Sequence, residues 1–394
     1  MRLSTIPNPL SLRGSARKHE EFYRPPSSID GGPGDLLRAE PVRVKLLPGV
    51  RLWVRAWRVL YRSSSATGAP IVVSGTVLVP HRPYRGPRPL IGYAIGTQGH
   101  AQHCAPSLQL LAGLEYETPL ITRILGRGWA VALTDYPGLG TGGGHPYIVG
   151  RALGPAVLDS MRAARNLPDT GLAEDGPAAL FGYSEGGTAA AWAAQLQPAY
   201  APDIPLVAAA VGGVCADLEY AADFLTGGRF AWLQAYAAVG LDIAYPELRL
   251  ARYLNHHGHR MYPKLIDTHI VGQIIARTPY RFDRARYVVT DPLTEPDWLA
   301  RMRENRLGAL APAAPVLLTH GRADQAVGYG QAPRLRDDWS RLGVDVTFRG
   351  YRGLEHLTAA VAHIRTALPW LTAHIAGHRA GGLGTPPITG FETA

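Results

Sequence analysis

Gly182-Tyr183-Ser184-Glu185-Gly186-Gly187 is the stretch on which the reading of this chain turns. The apolar run Ala178 to Phe181 precedes it and the helix-forming Thr188 to Ala194 follows it, so strand, tight turn and helix succeed one another. A serine in such a turn takes a strained backbone conformation, tolerable only if Gly182 and Gly186 let the strand and helix backbones pass closely. The turn projects the Ser184 hydroxyl into the open and sets the Glu185 N–H at a helix N-terminus, where it faces a developing oxyanion. The same pentapeptide pattern also occurs in ordinary glycine-rich strand-to-helix turns, so its surroundings must carry the weight.

A serine hydroxyl is a poor nucleophile without a base, and the base needs an acid to orient it. Both have candidates downstream. Asp324 lies in His320-Gly321-Arg322-Ala323-Asp324, just after the apolar Val316 to Thr319, and His356 lies between the next apolar run and the last helical stretch. The order Ser184, Asp324, His356 is that of an α/β-hydrolase triad. Taken singly, Asp324 also reads as a loop-forming Asx turn and His356 as a helix cap. A second oxyanion amide is expected from Ile95-Gly96-Thr97-Gln98-Gly99, which ends the third apolar run; the donor is Thr97 or Gln98.

Working outward, Leu52 to Tyr61 and Ile71 to Val79 read as an antiparallel hairpin. Apolar runs then alternate with helical stretches: Pro89 to Ile95, helix Leu108 to Leu125, Trp129 to Thr134, helix Leu153 to Asn166, Ala178 to Tyr183, helix Glu185 to Gln197, and Pro205 to Val214. Such alternation predicts an α/β fold, a mostly parallel sheet with helices on both faces. It stops after Cys215, gives way to an aromatic-rich helical stretch, and resumes at Val316 with Gln331 to Leu342, Asp345 to Arg349 and Leu357 to Leu371. The expected organisation is an extended arm over 1–40, a core over 41–214 and 311–376, an inserted helical cap over 215–310 and a loosely ordered tail over 377–394. Phe224 and Trp232 are the cap aromatics expected to bind an apolar substrate group.

The chain has 394 residues, 46% hydrophobic and 18% charged, which excludes disorder and fibres. Its formal charge is +9, and only Lys18, Lys45 and Lys264 among 40 basic residues are lysines. The arginines are scattered, so a nucleic-acid partner is not expected. No apolar run is long enough for a membrane span, and Met1 to Pro9 shows no signal core. Cys104 and Cys215 are too few for a disulfide scaffold, and whether they pair with each other stays open. Asn255-His256-His257-Gly258-His259 is expected to lie in solvent and not to hold a metal, and Asp135 to shape its glycine-rich loop.

Gly96-Thr97-Gln98-Gly99 leading into Cys104-Ala105-Pro106-Ser107, then Asp135-Tyr136-Pro137-Gly138-Leu139-Gly140, His145-Pro146-Tyr147 and the Ser184 elbow together resemble the secretory lipase family of α/β-hydrolases, of the yeast lipase A type. The resemblance runs from about Phe22 to about Leu371. It implies Ser184, Asp324 and His356 as triad, the Glu185 and Thr97 or Gln98 amides as oxyanion hole, and hydrolysis of carboxylic esters through an acyl-enzyme. A cap accepting an acyl chain, transient contact with a lipid surface, no metal or organic cofactor, and secretion are implied as well. Without a visible signal sequence, a cytoplasmic location stays open. The alternatives are a peptidase, amidase or acyltransferase using the same triad, and a binding protein that has lost turnover.

Overall fold

The computed structural model describes residues 21–277 and 282–380. Nine strands form one sheet, in the order β1-β4-β5-β7-β6-β8-β9-β10-β11. They are β1 Leu36–Pro41, β4 Val54–Ser64, β5 Pro70–Pro80, β6 Leu90–Ala94, β7 Ala130–Thr134, β8 Ala178–Tyr183, β9 Leu206–Gly212, β10 Val316–Gly321 and β11 Val346–Tyr351. A separate two-stranded ribbon joins β2 Lys45–Leu47 to β3 Val50–Arg51. In the large sheet the pairs β1/β4, β4/β5 and β5/β7 are antiparallel and the remaining pairs parallel, and the β2/β3 ribbon is antiparallel.

The central strands β6, β7 and β8 are buried at every residue. Helices cover both of their faces, which is why these strands read as unbroken apolar runs. The covering helices are α1 Pro106–Ala112, α2 Thr118–Leu125, α3 Gly150–Asn166 and α4 Glu185–Tyr200. Between β9 and β10 lie α5 Leu218–Leu225, α6 Leu233–Ala244, α7 His256–Ile266, α8 Ile270–Arg277 and α9 Pro296–Glu304, and beyond β10 come α10 Gln331–Arg341 and α11 His356–Ala380. The arrangement is that of an α/β-hydrolase. The segment between β9 and β10 has its own apolar core around Trp232, Tyr236, Tyr245 and Trp298.

Three expectations are corrected. The expected arm over 1–40 gives way to sheet at Leu36, because β1 pairs with β4 from Leu36↔Tyr61 to Pro41↔Trp57. Its Arg38 and Glu40 hide the alternation: Arg38 bonds the Glu21 and Phe22 carbonyls, and Glu40 takes the buried Arg58. Phe22 and Tyr23 are also buried, against Leu60 and Val72, while residues 1–20 of the arm lie outside the described residues. The single helix expected from Leu108 to Leu125 is two. Gly113 ends the first in the left-handed region at φ 79°, and Pro119 opens the second. The tail expected from residue 377 remains helical to Ala380, and 381–394 lie outside the described residues.

Candidate active site

Ser184 sits between β8 and α4 at φ 61° and ψ −124°, a conformation that costs free energy for any residue with a Cβ. The glycines around it allow the turn. A Cβ on Gly182 would lie 2.1 Å from the Gly186 carbonyl oxygen, and one on Gly187 the same distance from that of Gly212. On Gly186 it would lie 2.1 Å from the Ala94 oxygen, so α4 passes against the backbone of β6. Gly186→Ala is therefore expected to destabilise the protein by at least about 3 kcal/mol, since backbone cannot move aside as a side chain can. Gly377→Ala, on open helix surface, is expected to be neutral or to stabilise by up to about 1 kcal/mol. Chemical denaturation of both variants checks this; equal midpoints would show that the elbow tolerates a methyl.

The structure brings Ser184, His356 and Asp324 together. His356 Nε2 is 2.9 Å from Ser184 Oγ, and its Nδ1 is 2.6 Å from Asp324 Oδ2. An ionised carboxylate only accepts, so Nδ1 carries the proton and Nε2 is left to accept that of the serine. Asp324 Oδ1 meanwhile accepts the Ala326 and Val327 N–H groups at 2.9 and 2.8 Å. The plain Asx turn and the imidazole partner are thus one side chain using its two oxygens. Burial pushes the Asp324 carboxyl up, but the hydrogen bond and charge of His356, with His320 and the Val327 N–H, outweigh it and leave it below the usual carboxylate range.

His356 opens α11. Glu355 caps that helix through the Leu357 and Thr358 N–H groups, and the Tyr183 hydroxyl donates to the His356 carbonyl at 2.7 Å. Tyr183 and Glu355 are not among the site residues expected from sequence, although both adjoin members of this hydrogen-bonded chain. Glu185, first residue of α4, is buried, and its Oε1 lies 2.7 Å from His145 Nε2. That contact ties the elbow to the loop after β7, and the only sequence hint of it is a carboxylate in a motif position that has no need of one.

A cavity of about 720 Å³ opens onto Ser184, His356, Glu185 and Thr97. Gln98 is not among its lining residues; its side chain bonds Gln109 and its carbonyl accepts the Ile270 N–H. Most of the wall is apolar, with Leu218, Leu225, Leu233 and Leu241 among its members. Of the two expected cap aromatics, Trp232 lines the cavity. Phe224 does not: it is 39% exposed and stacks on Tyr220. Phe230 lines the cavity as well, whereas Tyr236, Tyr245 and Trp298 are buried in the segment's own core.

The remaining candidates fall elsewhere. Asp135 is buried and receives Ser74 Oγ at 2.6 Å and the Ser107 N–H at 2.8 Å, which pins the loop after β7 to β5 and α1. Burial raises its carboxyl to about 6, with the serine hydrogen bonds opposing. Asn255 caps α7 through His257 and Gly258, and His256, His257 and His259 are exposed. Cys104 and Cys215 are free and buried; burial pushes each thiol up to about 12.

The secretory lipase family model matches residues 105–382. A probable inactive lipase of Mycobacterium tuberculosis is 30% identical over 370 residues, which is 91% of this chain and 82% of that one. A secreted triacylglycerol lipase of Malassezia furfur is 28% identical over 328 residues, 77% of this chain and 82% of its own. Among solved structures, Candida antarctica lipase A superposes with a TM-score of 0.81 at 25% identity, covering 94% of this chain and 87% of the other. With a family model spanning more than half of its length and relatives aligned over most of theirs, the chain belongs to the secretory lipase family.

Proposed function

We propose that this protein is a carboxylic ester hydrolase that acts on lipid esters through an acyl-enzyme on Ser184. The observation that carries the reading is the continuous Ser184, His356 and Asp324 hydrogen-bonded chain at the mouth of an apolar cavity. His356 takes the serine proton as Oγ attacks the ester carbonyl, returns it to the leaving alcohol, and then activates the water that releases the acid. Asp324 holds the imidazole in its reactive tautomer. The Glu185 and Thr97 amides receive the oxyanion; Thr97 is favoured over Gln98 because it faces the cavity. Segment 215–310 serves as the cap, and its apolar wall takes the acyl chain. Family membership supports secretion as the location and a lipid surface as the place of work. Among the described residues no helix is long and apolar enough to cross a membrane.

Initial rates on p-nitrophenyl esters of rising chain length, beside an aminoacyl anilide, test the reading. Esters are expected to turn over and the anilide not. Ala237, on α6, lines the cavity, and Ala237→Trp should remove space for two or three methylenes. At about 0.8 kcal/mol each, kcat/KM for a dodecanoate ester should fall about 30-fold relative to an acetate ester. Phe224→Ala should leave that ratio unchanged. Equal losses on both esters in Ala237→Trp would mean that the cavity does not hold the acyl chain.

A second reading, a protein of this fold without turnover, takes support from the name of the Mycobacterium relative. Stoichiometric labelling by a fluorophosphonate together with ester turnover would dismiss it, and failure of both would favour it.

A further inference from the structure

The loop that follows β6 is held one peptide at a time. The Tyr136 hydroxyl donates to the Ile95 carbonyl at 2.8 Å, and the Gly96 N–H donates to Glu117 Oε1 at 2.9 Å, so both sides of the 95–96 peptide are engaged. Gln98 Nε2 lies 3.3 Å from the Gly96 carbonyl and 3.4 Å from Glu115 Oε1. The Tyr116 hydroxyl donates to the Thr97 carbonyl at 2.9 Å, which orients the peptide joining Thr97 to Gln98. Three consecutive residues in the turn between α1 and α2 thus grip three consecutive residues of the loop in reverse order: Glu115 takes Gln98, Tyr116 takes Thr97 and Glu117 takes Gly96.

The turn is braced in its own right. The Glu117 N–H donates to Glu115 Oε1 at 3.0 Å, and the Tyr93 hydroxyl of β6 donates to Glu117 Oε2 at 2.6 Å. Tyr116 and Glu117 line the same cavity as Ser184 and Thr97. A loop with glycines at 96 and 99, beyond the last residue of its strand, has no sheet ladder to hold it. An oxyanion amide nevertheless has to keep its direction to within about 10–20°. Burial also pushes the Glu117 carboxyl up to about 7 and that of Glu115, helped by Glu117, to about 8, which limits negative charge beside a developing oxyanion.

We propose that Glu115, Tyr116 and Glu117 are positioning residues that aim the oxyanion amide of the Gly96 to Gln98 loop at Ser184. The proposal rests on the reading of Ser184 as nucleophile. Loss of the clamp then appears in transition-state binding and leaves ground-state binding alone.

The test uses the full chain carrying Glu117→Ala, Glu117→Gln or Tyr116→Phe. The readouts are kcat and KM on p-nitrophenyl butyrate, the inhibition constant of an alkyl trifluoromethyl ketone that forms a tetrahedral adduct with a serine, and fluorophosphonate labelling. Glu117→Ala is expected to lower kcat about 100-fold with KM within about twofold, and to weaken the ketone by the same factor. Glu117→Gln keeps an acceptor for the Gly96 N–H and should recover to within about threefold of the parent. Tyr116→Phe, which removes one hydroxyl from a partly exposed ring, should lose about tenfold in both readouts and carries the test if Glu117→Ala fails to fold. A lowered melting temperature with unchanged kcat and unchanged ketone affinity would overturn the clamp, as would a Gln variant no better than the Ala variant. If the parent is labelled at Ser184, such a result condemns the clamp alone; an unlabelled parent removes the nucleophile reading and the clamp together.

Discussion

Ser184→Ala is expected to reduce ester turnover by about 10⁴-fold or more and to abolish covalent labelling by a fluorophosphonate, while the melting temperature stays within about 2 °C of the parent. Catalysis through an acyl-enzyme needs an oxygen at this position, and no other side chain can supply one at the same place. The fold does not depend on that oxygen, which hydrogen-bonds His356 Nε2 at 2.9 Å. The strained backbone at φ 61° belongs to the turn and not to the hydroxyl, and the glycine packing that permits it is the same for alanine. Turnover at the parent rate in the alanine variant, or labelling at another serine, would remove Ser184 from the chemistry.

His356→Ala should cost about as much as Ser184→Ala, because both act in one proton transfer and losing either abolishes it. Asp324→Asn should retain more activity than either, since the carboxylate orients and stabilises the imidazole without itself transferring a proton. A loss of about 10³- to 10⁴-fold is still expected. An amide presents Nδ2 where Oδ2 accepts from His356 Nδ1, and this forces the wrong tautomer on the ring. The turn should survive, because the remaining amide oxygen can go on accepting the Ala326 and Val327 N–H groups. Single-turnover kinetics on a butyrate ester, compared across the three variants, checks the order. An Asp324→Asn enzyme at full rate would exclude Asp324 as the orienting acid.

Much of this was legible in the chain because it is written in local chemistry. A buried parallel strand must be an unbroken apolar run, so β6, β7, β8, β9 and β10 announce themselves. A serine turn between strand and helix needs glycines wherever the backbones touch, so Gly182 and Gly186 mark it. The edge strand β1 was not legible, since its Arg38 and Glu40 are satisfied by groups far along the chain, the Phe22 carbonyl and Arg58. The break at Gly113 was missed because one glycine in an apolar helical pattern can be tolerated, and only its left-handed φ ends the helix.

The sequence by itself determined the strand-and-helix alternation and the elbow, and it singled out Ser184, Asp324 and His356 as candidates by residue type and position at the end of a strand; the fold brings the three into one hydrogen-bonded chain. Only the tertiary structure decided which side chains of segment 215–310 face the cavity. Trp232 and Phe224 look alike as aromatic residues of one helical segment, and they part according to which face of the packed segment each occupies. Folding alone likewise brought Glu115, Tyr116 and Glu117 onto Gln98, Thr97 and Gly96, and His145 onto Glu185. These contacts join residues 17 to 40 positions apart in sequence, where no periodicity or motif reaches, and their geometry exists only once β6, β7 and β8 lie side by side.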